Sequence, residues 1–391
     1  MRGDDVRVLI VGAGIAGLAA ARTLRGWGAA VEIIENAAAP PSEGTGIYLP
    51  GNAVRALSGL GLGTQVAELA VRIERQRFAD HRGRLLFDIE LAGVWHGVGP
   101  CLALHRAALH QVLLAGVSDV PIRWGLSLQG LTIDDEGVTV EFSDGSMGRY
   151  DLVLGADGLH STVRRLVFDA PATRPVGQYA RRFVVARPQA APIWSVLLGR
   201  NSSFLMVPIS DGQLYCYCDG PLTSPPPPLV ELLAGYAEPV PTLLDALEEA
   251  GNGTGHAGAV EEVVLDSWSH GAVLLIGDAP HATSPNMAQG AAMALEDAIV
   301  LSECLNRGRR HRRRHDGVRT PPSPAHRLGT PAIAPPGPYP RNSPCPAQPA
   351  AQAVRTADLP RELPTAARAG MRTAGPSTSS APYRGSIRFC R

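Results

Sequence analysis

Lysine is missing from this chain: all 36 basic residues among its 391 are arginine. Chemistry that depends on a lysine amine is thereby excluded. The absence also marks a GC-rich gene, because lysine codons are A-rich. The six cysteines, Cys101, Cys216, Cys218, Cys304, Cys345 and Cys390, include no CxxC pair and no Cys/His ligand spacing, so no metal site is expected. Cys216 and Cys218 lie in Leu-Tyr-Cys-Tyr-Cys, where alternation puts both on one face of a strand, and they read as buried thiols. No run of about 18 apolar residues offers a membrane span, and nothing before Val6 serves as a signal peptide, so the expected location is the cytoplasm.

What is present is an ordinary globular composition, 45% hydrophobic, of a length that suggests about two domains. An apolar run, Val6 to Val11, leads into Gly12-Ala-Gly-Ile-Ala-Gly17, then a helix-compatible stretch from Ile15 to Trp27 and a second strand, Val31 to Glu35. This βαβ unit is a dinucleotide-binding pattern. Gly12 makes the tight turn, Gly14 admits a pyrophosphate close to the backbone, and Gly17 packs helix on strand. The phosphates would sit on the helix N-terminus, where unpaired N–H groups favour an anion. Glu35, 23 residues after Gly12, stands where a carboxylate accepts hydrogen bonds from the adenosine ribose.

Two further segments repeat the theme of strand, glycine turn and helix. Tyr150 to Arg164 contains Gly155-Ala-Asp157-Gly158 at the carboxyl end of a strand, fed by a hairpin with an Asp-Gly turn over Gly137 to Gly145. Ala272 to Gly290 contains Gly277-Asp278-Ala-Pro280, where an aspartate directly after a buried strand can bind a polyol hydroxyl, and a helix follows from Ala291 to Leu305. If that helix points at a flavin ring, its positive end stabilises charge on the reduced ring. Three such segments in this order point to FAD, where the first alone indicates only a dinucleotide.

At this point the chain resembles the single-component FAD-dependent aromatic hydroxylases of the para-hydroxybenzoate hydroxylase type. The resemblance runs from residue 6 to about 305 and includes Gly44 to Leu62 and Leu104-His-Arg106 to Leu114. It implies an α/β fold, a Rossmann-type FAD-binding domain with an inserted β-sheet substrate domain. The expected division is 1–174 and 271–305 for FAD, and 175–270 for the substrate sheet. By the resemblance, Gly12, Gly14, Gly17 and Glu35 hold the ADP half of FAD, Arg106 contacts the cofactor, and Asp278 binds the ribityl–pyrophosphate region. Asp157 and Gly158 are associated with both FAD and the nicotinamide cofactor, while Pro285 and the turn Ala288 to Gly290 lie beside the isoalloxazine. Ala288 departs from the glycine usual in the family.

The activity so implied is hydroxylation of a small aromatic, phenolic or polyketide-like substrate. NAD(P)H reduces the flavin, O2 adds at C4a, and the hydroperoxide transfers one oxygen atom. Strands are expected at Arg182–Arg187, Ile193–Leu198, Phe204–Ile209 and Leu214–Cys218, where Phe204, Met206, Tyr215 and Tyr217 are pocket candidates, with ordinary core or surface placement the favoured reading of each. No catalytic base is assigned: His281 reads as a loop histidine satisfied by backbone rather than as a proton relay. Two alternatives stand beside the hydroxylase: an FAD-dependent reductase or dehydrogenase without oxygen insertion, and a truncated flavin-binding protein with impaired activity. A flavin halogenase that relies on a lysine is excluded by composition.

After Leu305 the character changes. Residues 1–305 carry 20 arginines against 33 acids, whereas 306–391 carry 16 arginines against Asp316, Asp358 and Glu362. With 15 prolines and nine large apolar residues, the 306–391 segment cannot bury enough surface to offset its conformational entropy, and it is predicted to be a disordered tail. Its Arg, Pro, Ala and Ser content is also what GC-rich DNA yields in a shifted frame, the preferred explanation. No interleaved aromatics support nucleic acid or a membrane as partner.

Overall fold

The computed structural model of this chain describes residues 6–42, 44–168, 173–186, 193–249, 251 and 256–315, with side chains through Asn306. The sequence predicts disorder from residue 306, but the helix expected to end at Leu305 runs on to His315; the rest of the tail, on which the shifted-frame expectation falls, lies outside the described residues with Cys345 and Cys390.

The first sheet is built on β1 (Arg7–Val11), which pairs in parallel with β2 (Ala30–Glu35) on one side and the strand Leu152–Gly155 on the other. Val273–Leu275 and Ile122–Trp124 extend it in parallel, and Ser269–His270 closes one edge antiparallel. Between β1 and β2 runs α1 (Ile15–Trp27), which ends at Gly28 in the left-handed conformation, φ 93°. β1 reads as a continuous apolar run because both its faces are covered. Val8 and Ile10 pack with Leu18, Ala20 and Leu24 of α1 and with Leu295 and Ala298 of the long helix Gly290–His315. Leu9 and Val11 pack the other way, against Val138, Val140 and Phe142 of a three-stranded antiparallel sheet, Leu128–Asp134, Gly137–Phe142 and Met147–Tyr150.

The second large sheet has seven strands among the described residues, in the order His256–Glu262, Arg174–Ala186, Gln213–Pro221, Ser203–Ser210, Ile193–Leu198, Arg75–Asp80, Leu85–Glu90. It is therefore not confined to 175–270: the hairpin Arg75–Asp80/Leu85–Glu90 joins it through a parallel pairing of Arg75–Asp80 with Ile193–Leu198. One face of this sheet carries Phe183, Phe204, Met206, Leu214, Cys216 and Cys218 onto Val240, Leu243 and Leu247 of the helix Val240–Glu249. The common facing of Cys216 and Cys218 agrees with the alternation. The other face carries Trp194, Val196, Val207, Ile209 and Tyr215 against Tyr48, Trp95, Cys101 and Ala103, the last two on the strand Cys101–His105 that pairs with Gly46–Leu49.

Phe204 and Met206 face the outer helix as ordinary core residues, the favoured reading from sequence, whereas Tyr215, with Trp194, faces the strands Gly46–Leu49 and Cys101–His105. Phe204 is fully buried in that outer core. Phe204→Ala is expected to cost about 3–5 kcal/mol of unfolding free energy, measured by urea denaturation, through lost transfer energy and an unfilled cavity.

Candidate functional site

The three glycine segments meet at the carboxyl edge of the parallel sheet. Gly12 follows β1 with φ 107° and donates its N–H to the Ile34 carbonyl at 2.8 Å. A Cβ at Gly17 would lie 1.9 Å from the Gly12 carbonyl oxygen, so only glycine lets α1 settle on this turn. A Cβ at Gly14 would meet nothing within 4 Å. Gly14 is the N-cap of α1, which has no capping side chain and no acid in its first turn. The first N–H groups of a helix have no intrahelical acceptor. Here no side chain among the described residues caps them.

The helix Thr162–Val167, after the second segment, is the contrasting case. Asp157 accepts from the backbone N–H of Thr162 at 2.6 Å and of Val163 at 3.1 Å, and also from the Ser161 hydroxyl at 2.5 Å; Ser161 Oγ accepts from Arg164 N–H at 2.9 Å. That helix is fully capped by its own chain, whereas α1 is open to an outside anion. Gly158, at φ 75°, lets the chain turn directly after the capping aspartate.

The α1 turn is braced from two directions. Ala13 donates its N–H to Glu35 Oε2 at 2.8 Å, and its carbonyl accepts from His110 Nε2 at 2.7 Å. A carbonyl can only accept, so Nε2 carries the proton. Glu35 also takes the Ala37 N–H at 2.9 Å. A carboxylate offers about four lone-pair positions, which leaves capacity for hydroxyl donors from a ligand. Buried His110 stands four residues into the helix Arg106–Ala115, inside the arginine-led sequence pattern but without a role that the pattern assigns.

The third segment is pinned by residues that sequence reasoning left unassigned. Gly277, at φ 64°, abuts α1: a Cβ there would lie 2.7 Å from the Ala16 Cβ. Its N–H donates to Asp297 Oδ2 at 2.8 Å, and the same oxygen takes His281 Nε2 at 2.8 Å. His281 is therefore held by a side-chain carboxylate, not by backbone as expected. Burial disfavours its charged form, but the hydrogen bond and charge of Asp297, with Asp278 nearby, outweigh this and raise its pKa above the ordinary value. Buried Arg164 ties the second segment to the third, donating to the Ala279 carbonyl at 2.6 Å and to the Leu159 carbonyl at 2.7 Å.

Between these clamps Asp278 is exposed, with no hydrogen-bond partner among the described residues, and its Oδ1 lies 3.8 Å from where a Cβ at Gly290 would stand. Pro285 opens a single 3-10 turn, Pro285–Met287, followed by Ala288 at φ 50°, a non-glycine residue in the left-handed region. Asn52 links the Gly44 to Leu62 segment to this turn, donating to Gln289 Oε1 at 3.1 Å and to Glu296 Oε1 at 3.2 Å. Arg106 heads its helix, exposed, with its N–H on the Thr45 carbonyl at 2.9 Å.

On the second sheet, Tyr215 stands where that sheet meets the strand Gly46–Leu49: a Cβ at Gly46 would lie 2.3 Å from its own Cβ. Burial raises its phenol pKa against the hydrogen bond from Arg182 and the charges of Arg182 and Arg106. Tyr217 turns its hydroxyl to Asp219 at 3.3 Å. Tyr48 and Trp194 pack with ring centroids 4.4 Å apart, and Ala288 packs against the same cluster. A shallow groove lined by Leu114, Val120, Ile122 and Trp124 lies elsewhere and includes none of the residues expected to bind FAD. No described helix is long and apolar enough to cross a membrane.

The donor set fits FAD: an anion would meet the open amides of α1, hydroxyl groups the free acceptors of Glu35 and Asp278, and a planar ring the aromatic cluster beside Ala288. Comparison with known proteins agrees. The family described as "FAD binding domain" matches residues 5–214 and 252–320. Aurachin C monooxygenase/isomerase of Stigmatella aurantiaca is 33% identical over 315 residues, covering 76% of this chain and 80% of that protein. The 3-amino-4-hydroxybenzoate 2-monooxygenase of Streptomyces cremeus is 33% identical over 319 residues, covering 77% and 79%. The crystal structure of Klebsiella pneumoniae HpxO complexed with FAD and uric acid superposes with a TM-score of 0.71 at 28% identity, covering 78% of this chain and 80% of that one. On the fold, the open dinucleotide turn and these matches together, the chain belongs to the FAD-binding-domain family of FAD-dependent aromatic monooxygenases.

Proposed function

We propose that this chain hydroxylates a small, oxygen-bearing aromatic compound with NAD(P)H and O2, and that its cofactor lies along the carboxyl edge from Glu35 to Gly290. The observation that carries the assignment is the open N-terminus of α1 beside the free Asp278, set against the self-capped helix after Asp157. The substrate class is supported by one relative named for 3-amino-4-hydroxybenzoate and by another solved with uric acid.

In this reading the amides behind Gly12, Gly14 and Gly17 bind the pyrophosphate, a site favoured by both the unpaired N–H groups and the helix dipole. Glu35 accepts from the adenosine ribose and Asp278 from the ribityl chain. Arg106 adds a positive charge at the cofactor's edge, and Asp157 with Gly158 shape the adjoining turn, Asp157 through its capping bonds. Pro285 and Gly290 flank the ring system. The helix from Gly290 has no acid in its first turn. Its positive end therefore favours negative charge on the neighbouring ring. Bound and reduced, FAD supplies the activation of O2 from which one oxygen atom passes to the substrate. The protein's part is to orient and to keep water out: Tyr48, Trp194 and Tyr215 form the apolar wall on the substrate side. Arg182 and Tyr215 place a hydrogen-bonding pair at that wall.

Purified protein is expected to show the visible bands of bound flavin, with FAD released on denaturation. NAD(P)H consumption stimulated by a hydroxylated aromatic acid should then yield a product one oxygen heavier by mass spectrometry. Consumption matched wholly by peroxide, with every aromatic tested, would instead identify a reductase. Asp278→Ala is expected to weaken FAD binding by about 10–100-fold, the loss of a hydrogen bond to a charged acceptor. Gly14→Ala should leave the stability of the FAD-free protein within about 0.5 kcal/mol, like a surface change, while weakening FAD. Gly17→Ala, which drives a Cβ into a carbonyl, should lower that stability by more than about 3 kcal/mol. Ala288→Gly relieves the left-handed strain and is expected to raise stability by up to about 1 kcal/mol in urea unfolding.

A further inference from the structure

Asp297 occupies an unusual place for a carboxylate. It lies on the helix Gly290–His315, yet a single oxygen of it takes both the Gly277 amide and the His281 imidazole, each at 2.8 Å. Those two donors bracket Asp278. Both side chains are largely withdrawn from water, His281 at 10% exposure and Asp297 at 16%. The imidazole also lies against the Trp268 ring, centroids 4.8 Å apart. The turn is anchored on its far side by Arg164 at the Ala279 carbonyl and continues into Ala282, whose carbonyl takes the Val263 N–H at 2.9 Å. Nothing in this arrangement holds the Asp278 side chain itself. Its direction is set wholly by the backbone that Asp297, His281 and Arg164 fix.

We infer that His281, in its charged form on Asp297, is the positioning residue for Asp278, so that FAD is held more tightly when this histidine is protonated. The inference rests on the assignment of Asp278 to the cofactor. A charged donor makes the shorter and stronger hydrogen bond. It also neutralises Asp297, which would otherwise place an unbalanced negative charge behind Asp278 and an incoming pyrophosphate. The charged groups acting on His281 are Asp297 and Asp278; Glu296, next to Asp297 on the same helix, is turned to Asn52. Glu262 is turned to the Ser284 N–H at 3.4 Å, and Arg164 is committed to carbonyls. Asp297 is the one carboxylate among these in direct contact with the ring.

FAD affinity varies with pH only between the His281 pKa of the FAD-free protein, which is raised above 6.5, and the higher pKa that FAD binding gives it: the contribution is complete below the first and is lost as the pH rises through both. The test is FAD affinity of the FAD-free full chain, read by quenching of flavin fluorescence from pH 6 to 9, with the histidine ring titrated by NMR in parallel. A rise in Kd of about tenfold over this range is expected for the parent protein. By linkage, bound FAD should then raise the His281 pKa by about one unit. His281→Gln, which keeps a neutral donor, should bind at pH 6 as the parent does at pH 9, and with a flat profile; Asp297→Asn should flatten the profile as well.

A parent Kd that is flat with pH, or a His281→Gln variant that keeps the parent slope, overturns the inference and leaves the FAD site standing. Protein that binds no FAD at any pH overturns the site assignment and this inference together. Should either variant fail to fold, by circular dichroism, the parent profile and the FAD-induced shift of the His281 resonance decide alone. Without that shift the inference falls.

Discussion

The contact on which the site depends is the seating of α1 on the turn after β1, where the Gly17 backbone rests on the Gly12 carbonyl with no room for a Cβ. That approach fixes where the helix begins. Because it begins at Gly14 with no side chain to cap it, the chain retains a set of polarised donors that nothing internal satisfies. Unsatisfied donors of this kind are tolerated where water or a ligand takes them. The braces around the turn, Glu35 and His110 on the two sides of the Ala13 peptide, keep it in that state without filling it.

Much of this could be read from the sequence, and the reason is local. β1, α1 and β2 are consecutive, so glycine spacing, helical periodicity and a terminal acid all report on one short stretch of chain, and the expected helix Ile15 to Trp27 is the helix observed. The strand Ile193–Leu198 was equally plain. Its partner was not: Arg75–Asp80 reaches it from more than 100 residues upstream, and no local pattern announces a parallel pairing across such a distance. Which face of the second sheet turns to the strands Gly46–Leu49 and Cys101–His105 was also hidden. Both faces are buried, so alternation separates Phe204 and Met206 from Tyr215 without saying which set looks outward.

The connecting residues were hidden for a different reason. Arg164 closes the second glycine segment, but its partners are carbonyls at Leu159 and Ala279, and carbonyls have no sequence signature. The absence of lysine has a structural consequence at this point. A guanidinium can remain charged while buried and spread its donors over two acceptors in a fixed geometry, which an ammonium does less well. His110 and Asp297 serve the backbone in the same way, each from a helix remote in sequence from the glycine turn it supports.

The two aspartates that close the parallel strands show how a motif divides into structural and chemical parts. Asp157 and Asp278 each succeed a glycine-bearing strand end, and the pattern alone gives them the same standing. The residues on their C-terminal sides set them apart. Beyond Asp157 lie Ser161, Thr162 and Val163, whose hydroxyl and amide donors all turn back onto its carboxylate. Beyond Asp278 no donor among the described residues turns back onto its carboxylate: the Gly277 amide and the His281 imidazole go to Asp297, and the Ser284 amide goes to Glu262. An aspartate surrounded by donors becomes a cap, whereas one deprived of them keeps its acceptors for a ligand. The serine four residues after Asp157, where Asp278 is followed by Ala282, was the signal in the sequence that could have separated the two.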